Sequence, residues 1–179
     1  MPCPGMETIT YGGQVYNTVL IGDQCWLKEN LNYGAGYSWC YDNDTANCNT
    51  YGRLYDWQTA QNVCPSGWQL PSNVEWAILT DFLGGLSVAG GKMKEVGNAH
   101  WAAPNTGATN SSGFTALPGG YRDFNASFHD KRNKGNWWTS NSYGVTGAGA
   151  RFLFYNDARV ATGSGNKALG YSVRCLKNN

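Results

Sequence analysis

The sequence predicts an α+β domain, rich in loops and stapled by disulfides. Three observations carry that expectation. Glycine (24 residues) and tryptophan (8) are both abundant, so many tight turns must enclose large aromatics. Cysteine occurs six times, an even count, as Cys3, Cys25, Cys40, Cys48, Cys64 and Cys175. One well-capped helix stands among several short runs that read as strands. Disordered chains are poor in aromatics, so the same composition argues against disorder.

At 179 residues the chain fits a single domain over 1–179, with 1–35 as an N-terminal strand region. Charged residues make up only 14% and the net charge is +1, so no basic field exists to hold nucleic acid. No segment is apolar enough for direct membrane insertion. The cysteines form no CxxC pair, and the only histidines are His100 and His129, so zinc-ligand spacing is missing and no metal or other cofactor is expected. Three disulfides in an oxidising compartment is the reading, although six cysteines allow about 15 pairings. The chain opens MPCPG without a signal peptide. The expectation is export by a leader that has been removed, to the extracellular space or the bacterial cell surface.

The elements follow in order. Thr8 to Tyr11 and Gln14 to Ile21 read as strands flanking a Gly12-Gly13 turn. Gly22-Asp23 makes the next turn, into Gln24 to Leu27, and Cys3 and Cys25 can then bridge neighbouring segments. Cys40 to Cys48 reads as a small polar loop for which a local bridge is the simplest pairing, stabilising by about 2–3 kcal/mol. Asp42, Asn43 and Asp44 within it are turn formers before they are calcium ligands, because no bidentate glutamate follows at EF-hand spacing. Tyr55 to Val63 reads as a short helix with Trp57 and Ala60 on one face.

The clearest helix is Ser72 to Leu83, opened by the capping box Ser72-Asn73-Val74-Glu75 and closed by Gly84-Gly85. Val74, Ile78, Leu79 and Phe82 recur at helical spacing and are expected to face the core, and Trp76 is also read as core. Beyond Gly90-Gly91 no helical period is convincing. Phe114 to Tyr121 reads as a strand running into a turn. Trp137-Trp138, Arg151 to Tyr155 and Leu169 to Leu176 read as strands, with Gly144 to Gly149 and Ala161 to Lys167 as small polar connections.

The motifs YNTVLIGDQCWLKENL, YGRLYDW, CPSGWQLPSNVEW, GFTALPGGYRD, WWTS and GYSVRC occur in that order over nearly the whole chain. Together they resemble the Fibrobacter succinogenes major paralogous domain, a bacterial surface-protein family similar to C-type lectin-like and formylglycine-generating-enzyme-like folds. The resemblance implies a C-type lectin-like fold, with two helices packed on small twisted antiparallel sheets and long irregular loops. It implies that the N- and C-terminal strands come together, and it supports a Cys64–Cys175 bridge. Closing a loop of that length stabilises by about 4.7 kcal/mol in the chain-entropy account.

The departures are informative. Calcium-dependent sugar-binding lectins carry Glu-Pro-Asn or Gln-Pro-Asp, closely followed by Trp-Asn-Asp. This chain has Ala103-Pro104-Asn105 and, far downstream, Tyr155-Asn156-Asp157, both read as loop chemistry. The oxidase branch places a reactive cysteine pair near the C-terminus, whereas here Cys175 stands alone, which disfavours an oxidase. No Ser/His/Asp order, G-x-S-x-G or phosphate-binding glycine loop is present. Asp123, His129 and Asp130 share one turn-rich stretch, where a solvated hairpin tip explains them as well as an acid/base group does. The expected function is therefore not enzymatic, and no catalytic residue is assigned.

The tract Asn141 to Leu169 stands apart. Its tyrosine, serine, glycine and asparagine resemble the make-up of a paratope. Its candidate ligand-binding residues are Tyr143, Val145, Thr146, Ala148, Phe152, Phe154, Asp157, Arg159, Ala161, Ser164 and Leu169, with Tyr121 and Trp138 as flanks. Alternation on a strand puts Phe152 and Phe154 on one face and Arg151, Leu153 and Tyr155 on the other, with the inward set left open. C-type lectin-like domains also serve as variable proteins of diversity-generating retroelements, in which template adenines are mutated. Gly, Val, Thr, Ala, Phe, Asp, Arg, Ser, Leu and Tyr, which include every type at the candidate positions of this tract, are all reachable from asparagine codons in that way. The resemblance thus implies an extracellular or cell-surface module, a receptor or adhesin, that binds a protein or glycan ligand on another cell or in the environment. The alternative is a structural surface building block without a dedicated ligand.

Overall fold

The computed structural model describes residues 1–178. The N-terminal region folds as expected. Strands β1 (Thr8–Tyr11), β2 (Gln14–Ile21) and β3 (Gln24–Leu27) form a meander turned at Gly12-Gly13 and Gly22-Asp23. Gly12, Gly13 and Gly22 have φ of 59°, 80° and 59°, the left-handed region that glycine enters without steric cost.

The chain then forms β4 (Ser38–Trp39), a 3₁₀ turn (Tyr41–Asn43), α1 (Thr45–Tyr51), β5 (Leu54–Tyr55), α2 (Trp57–Ala60) and β6 (Trp68–Gln69). The segment read as a polar loop is therefore mostly helical. Asp44 is its N-cap, its carboxylate accepting from Ala46 N at 2.9 Å. Asn and Asp favour caps as strongly as turns, and their presence alone does not separate the two.

Next come α3 (Asn73–Phe82) and α4 (Leu86–Met93). The capping box of α3 is formed, with Ser72 N donating to Glu75 Oε2 at 2.7 Å. Its core face differs from the one expected. Trp76, Leu79 and Thr80 turn inward, with Leu83 just past the helix end, while Val74, Ile78 and Phe82 stay 51–67% exposed. Trp76, Leu79 and Leu83 also repeat at helical spacing, and the indole has by far the largest surface to bury. The α4 helix escapes sequence reading because of Gly90 and Gly91. A Cβ at Gly90 would collide with the Arg159 carbonyl, and one at Gly91 with that of Gly107. Two loops pack directly on the helix backbone there, with Gly91 N donating to Ala158 O at 2.8 Å.

The remaining strands are β7 (Tyr121–Arg122), β8 (Phe128–His129), β9 (Lys134–Tyr143), β10 (Gly147–Phe154), β11 (Ala161–Asn166), β12 (Tyr171–Ser172) and β13 (Leu176–Lys177). Of the strand expected over Phe114 to Tyr121 only β7 exists; Thr115 at φ 51° and Gly120 at φ 65° interrupt the extended backbone. Conversely, the two small polar connections are largely strand. Glycine leaves room for rings there: a Cβ on Gly163 would lie 2.9 Å from Phe152 Cε2, and one on Gly165 2.8 Å from Tyr171 Cε2.

A five-stranded antiparallel sheet has the order β1-β2-β3-β13-β6, and a six-stranded sheet the order β11-β10-β9-β12-β5-β4, with only β12–β9 parallel. β7 and β8 pair separately. The C-terminal run thus places β12 in one sheet and β13 in the other. Adjacent Trp137 and Trp138 point to opposite sides of β9, so this strand feeds both halves of the core.

Arg174, between β12 and β13, ties the segment after β3 to the Phe114 loop. Its guanidinium donates to Asn30 Oδ1 at 2.8 Å, Lys28 O at 2.7 Å and Phe114 O at 2.6 Å, and lies 4.1 Å from the Phe114 ring centre. Burial pushes its pKa down to about 9. All six cysteines pair as read: Cys3–Cys25, Cys40–Cys48 and Cys64–Cys175, the last spanning 111 residues.

Candidate functional site

The tract Asn141 to Leu169 does not make one surface. It spans the end of β9, all of β10 and β11, and the turns at both ends of β10. Tyr143, Val145 and Thr146 form the β9–β10 tip, and Ser164 lies beside it because β11 runs back along β10 with Gly149 opposite Ser164. Asp157 and Arg159 occupy the other turn. The eight residues of β10 separate the two groups by about 26 Å at roughly 3.3 Å per residue.

The tip is exposed and held in place. Val145 is 92% and Tyr143 49% exposed, and Thr146 and Ser164 are also exposed. Lys167 pins the turn from below. Its Nζ donates to Ser142 Oγ at 2.8 Å and Gly144 O at 3.0 Å, and sits 4.6 Å from the Trp57 ring centre.

The other candidate residues have different surroundings. Ala148 is fully buried in the core, which removes it from any binding face. Trp138, expected as a flank, is likewise buried, its Nε1 donating to Tyr55 O at 2.7 Å. Tyr121, the other flank, is partly buried against His129 and Tyr171. Phe152 and Phe154 do share one face, with Lys134 Nζ at 4.4 and 5.2 Å from their ring centres, and Phe152 packs edge-on against Tyr171. Ala161 pairs with Phe152, and Leu169 packs against the core. Of the other face, Arg151 and Leu153 are buried and Tyr155 is partly so, because α3 and its neighbours cover that side.

Asp157 and Arg159 form an ion pair at 2.7 Å, and hydrogen bonds from Arg159 hold the Asp157 carboxyl below its ordinary range. The backbone around Asp157 has a second role. Ala103-Pro104-Asn105 and Tyr155-Asn156-Asp157, far apart in sequence, meet in space, with Thr106 N donating to Tyr155 O at 2.8 Å. Lys94 Nζ lies between them and donates to the carbonyls of Thr106 (2.9 Å), Phe154 (2.9 Å) and Asp157 (2.8 Å). Its three donors meet three acceptors, while burial pushes its pKa down to about 8.

Asp123, His129 and Asp130 do not hydrogen-bond to one another. His129 Nε2 meets Ser127 Oγ at 2.7 Å, and Asp123 Oδ1 accepts from Phe124 N. In the 3₁₀ turn, Asp42 stands 4.0 Å from Lys131 Nζ.

The tip borders a cavity of about 430 Å³ lined by Asn73, Tyr143, Arg151, Thr162, Gly163 and Ser164. Strand register places Arg151 opposite Thr162 and Gly149 opposite Ser164, so these side chains share a face. Gly149 lets the neighbouring side chains close in: a Cβ there would collide with Thr139 Oγ1 and lie 3.0 Å from Asn73 Oδ1. Arg151 Nη1 donates to Asn73 Oδ1 at 3.0 Å and Ala150 O at 3.1 Å, and Nη2 to Asn73 O at 3.2 Å. Asn73 Nδ2 donates to the Tyr143 hydroxyl. Asn73, Arg151 and Thr162 were not sequence candidates. The period-2 relation of Thr162 and Ser164 was available, but only once this small polar stretch is recognised as a strand.

The family model described as Fibrobacter succinogenes major domain matches residues 19–177. The chain belongs to this family. The match runs from within β2 to the end of β13 and takes in Cys25, Cys40, Cys48, Cys64 and Cys175. Comparison with curated proteins found no match, nor did comparison with solved structures. For this Fibrobacter succinogenes major domain, three disulfides suit an oxidising compartment. No helix among the described residues is long and apolar enough to cross a membrane.

Proposed function

We propose that the domain is an extracellular or cell-surface module of C-type lectin-like fold that binds a ligand without a catalytic step. Its binding face is the β9–β10 tip with the adjoining part of β11. The observation that carries this reading is the contrast along β9: residues 135–139 are buried, whereas Tyr143 and Val145 just beyond them are exposed beside an open cavity. A rigid frame supporting exposed, mixed side chains is the arrangement recognition surfaces use. The fold reading is supported by β13, which brings the C-terminus between β3 and β6. Pairing of Cys175 with Cys64 supports a role other than oxidase.

The test is a screen of immobilised glycans and proteins with the parent domain, a Tyr143→Ala/Val145→Asp variant, and a Val15→Asp variant on the other sheet. Ligands are expected to be lost with the tip variant and kept with the Val15 variant. Retention by the tip variant would place recognition elsewhere, and absence of any ligand would favour a structural building block. Diversification by a retroelement is read from the residue types of the tract. It predicts a near-repeat template in the source locus with asparagine codons at the tip positions, which sequencing would find or refute.

A further inference from the structure

We propose that the cavity beside Arg151 takes a hexuronic acid, the guanidinium binding its carboxylate and the surrounding groups its ring hydroxyls. This deepens the reading of the tip as a binding face and rests on it. Arg151 is only 7% exposed, yet among the described residues no carboxylate lies within ion-pair distance of it. Its hydrogen-bond partners are one amide side chain and two backbone carbonyls, all uncharged. A guanidinium has five N–H donors, and these contacts use three, leaving Nε–H and one Nη2–H. Those two nitrogens form the edge that grips a carboxylate in a bidentate pair. A buried cation without a counter-charge favours an anion at its open side.

The rest of the lining selects among carboxylates. Thr162 and Ser164 supply hydroxyls, Tyr143 a phenol and Asn73 an amide, all around one cavity. The Tyr143 oxygen accepts from Asn73 and keeps its own proton to donate. An aspartate or glutamate side chain would engage the guanidinium alone and leave these groups to water. A pyranose carrying a carboxylate presents hydroxyls on a compact ring and can satisfy them together. The cavity, about 430 Å³, has room for one such ring with some solvent.

The experiment is an NMR and calorimetric titration of the intact domain with galacturonate and glucuronate, set against galactose, glucose, acetate and a short polyglutamate peptide. At least one uronate is expected to bind at least about tenfold more tightly than its neutral parent and than acetate, the difference a charge-assisted bidentate pair produces. Arg151→Lys, which keeps the charge and loses the fork, should remove that preference, and Ser164→Phe should block the cavity while leaving Arg151 intact. Thermal unfolding of both variants checks the fold. Equal binding of acetate or tighter binding of the peptide would overturn the assignment, as would undiminished uronate binding by both variants or no binding by the parent. If uronates fail while array ligands still depend on Tyr143 and Val145, this inference falls and the binding-face reading stands.

Discussion

Three buried cations show how single residues are solved in this domain. Lys94, Arg151 and Arg174 are each surrounded by carbonyl and amide oxygens, with no carboxylate in ion-pair contact among the described residues. Lys94 and Arg174 tie segments that only the fold brings together. Replacing Lys94 with methionine keeps much of the volume and removes the donors for three carbonyls. The expected loss is about 2–4 kcal/mol in urea unfolding, set by acceptors left dry. A change below about 0.5 kcal/mol would show that water replaces the ammonium. These roles were not legible in sequence, because nothing near Lys94 in the chain marks the carbonyls of Thr106, Phe154 and Asp157 as its partners.

At the scale of elements, α3 shows what periodicity can and cannot tell. Its limits and capping box were readable because the signals lie within a few residues of one another. Its inward face was not, since two stripes fit the same period and only one includes Trp76. Trp76→Ala is expected to cost about 3–5 kcal/mol as a core truncation, and Ile78→Ala less than about 1 kcal/mol. Similar losses from the two, measured by chemical denaturation, would contradict this packing. In α4 and β11, glycine hid the elements. It reads as punctuation, yet Gly90, Gly91, Gly163 and Gly165 are places where another backbone or ring comes too close for a Cβ. That proximity is a property of the neighbour and leaves no local mark.

For the molecule as a whole, the Cys64–Cys175 bridge and the Arg174 hydrogen bonds tie the C-terminal run to the Cys64 segment, to the stretch after β3 and to the Phe114 loop. Replacing both cysteines with serine should lower stability by about 4–5 kcal/mol, because a loop of 111 residues is released in the unfolded chain. The same comparison for Cys40 and Cys48 should show a smaller loss, their separation being 8. Differential scanning calorimetry of the two variants orders them.

The alkaline limit is also global. Burial raises Tyr171 to about 12, so the fold favours its neutral form. That contribution is complete below the unfolded value near 10 and is lost as pH rises through 12. Lys94 runs the opposite way: with its folded pKa near 8, its contribution to stability rises between pH 8 and about 10.5. The Tyr171 contribution should therefore hold to about pH 10 and be lost toward 12. Followed by near-ultraviolet circular dichroism, Tyr171→Phe should shift the loss upward. An unchanged midpoint would assign it to other buried tyrosines such as Tyr55.

By itself the sequence determined the family, the turn glycines of the first strands, the capped start of α3 and the cysteine framework. Each is written in residue types at short or family-specific spacing, where local chemistry selects the conformation. Tertiary structure alone decided which candidate residues come together. It sent Ala148 and Trp138 into the core, set Asp157 and Arg159 a strand's length from Val145, and brought Asn73 to Arg151 across 78 residues. The reason is register. Which side chains share a face of β10 depends on how β9 and β11 pair with it and on what α3 covers, and those are interactions between distant parts of the chain.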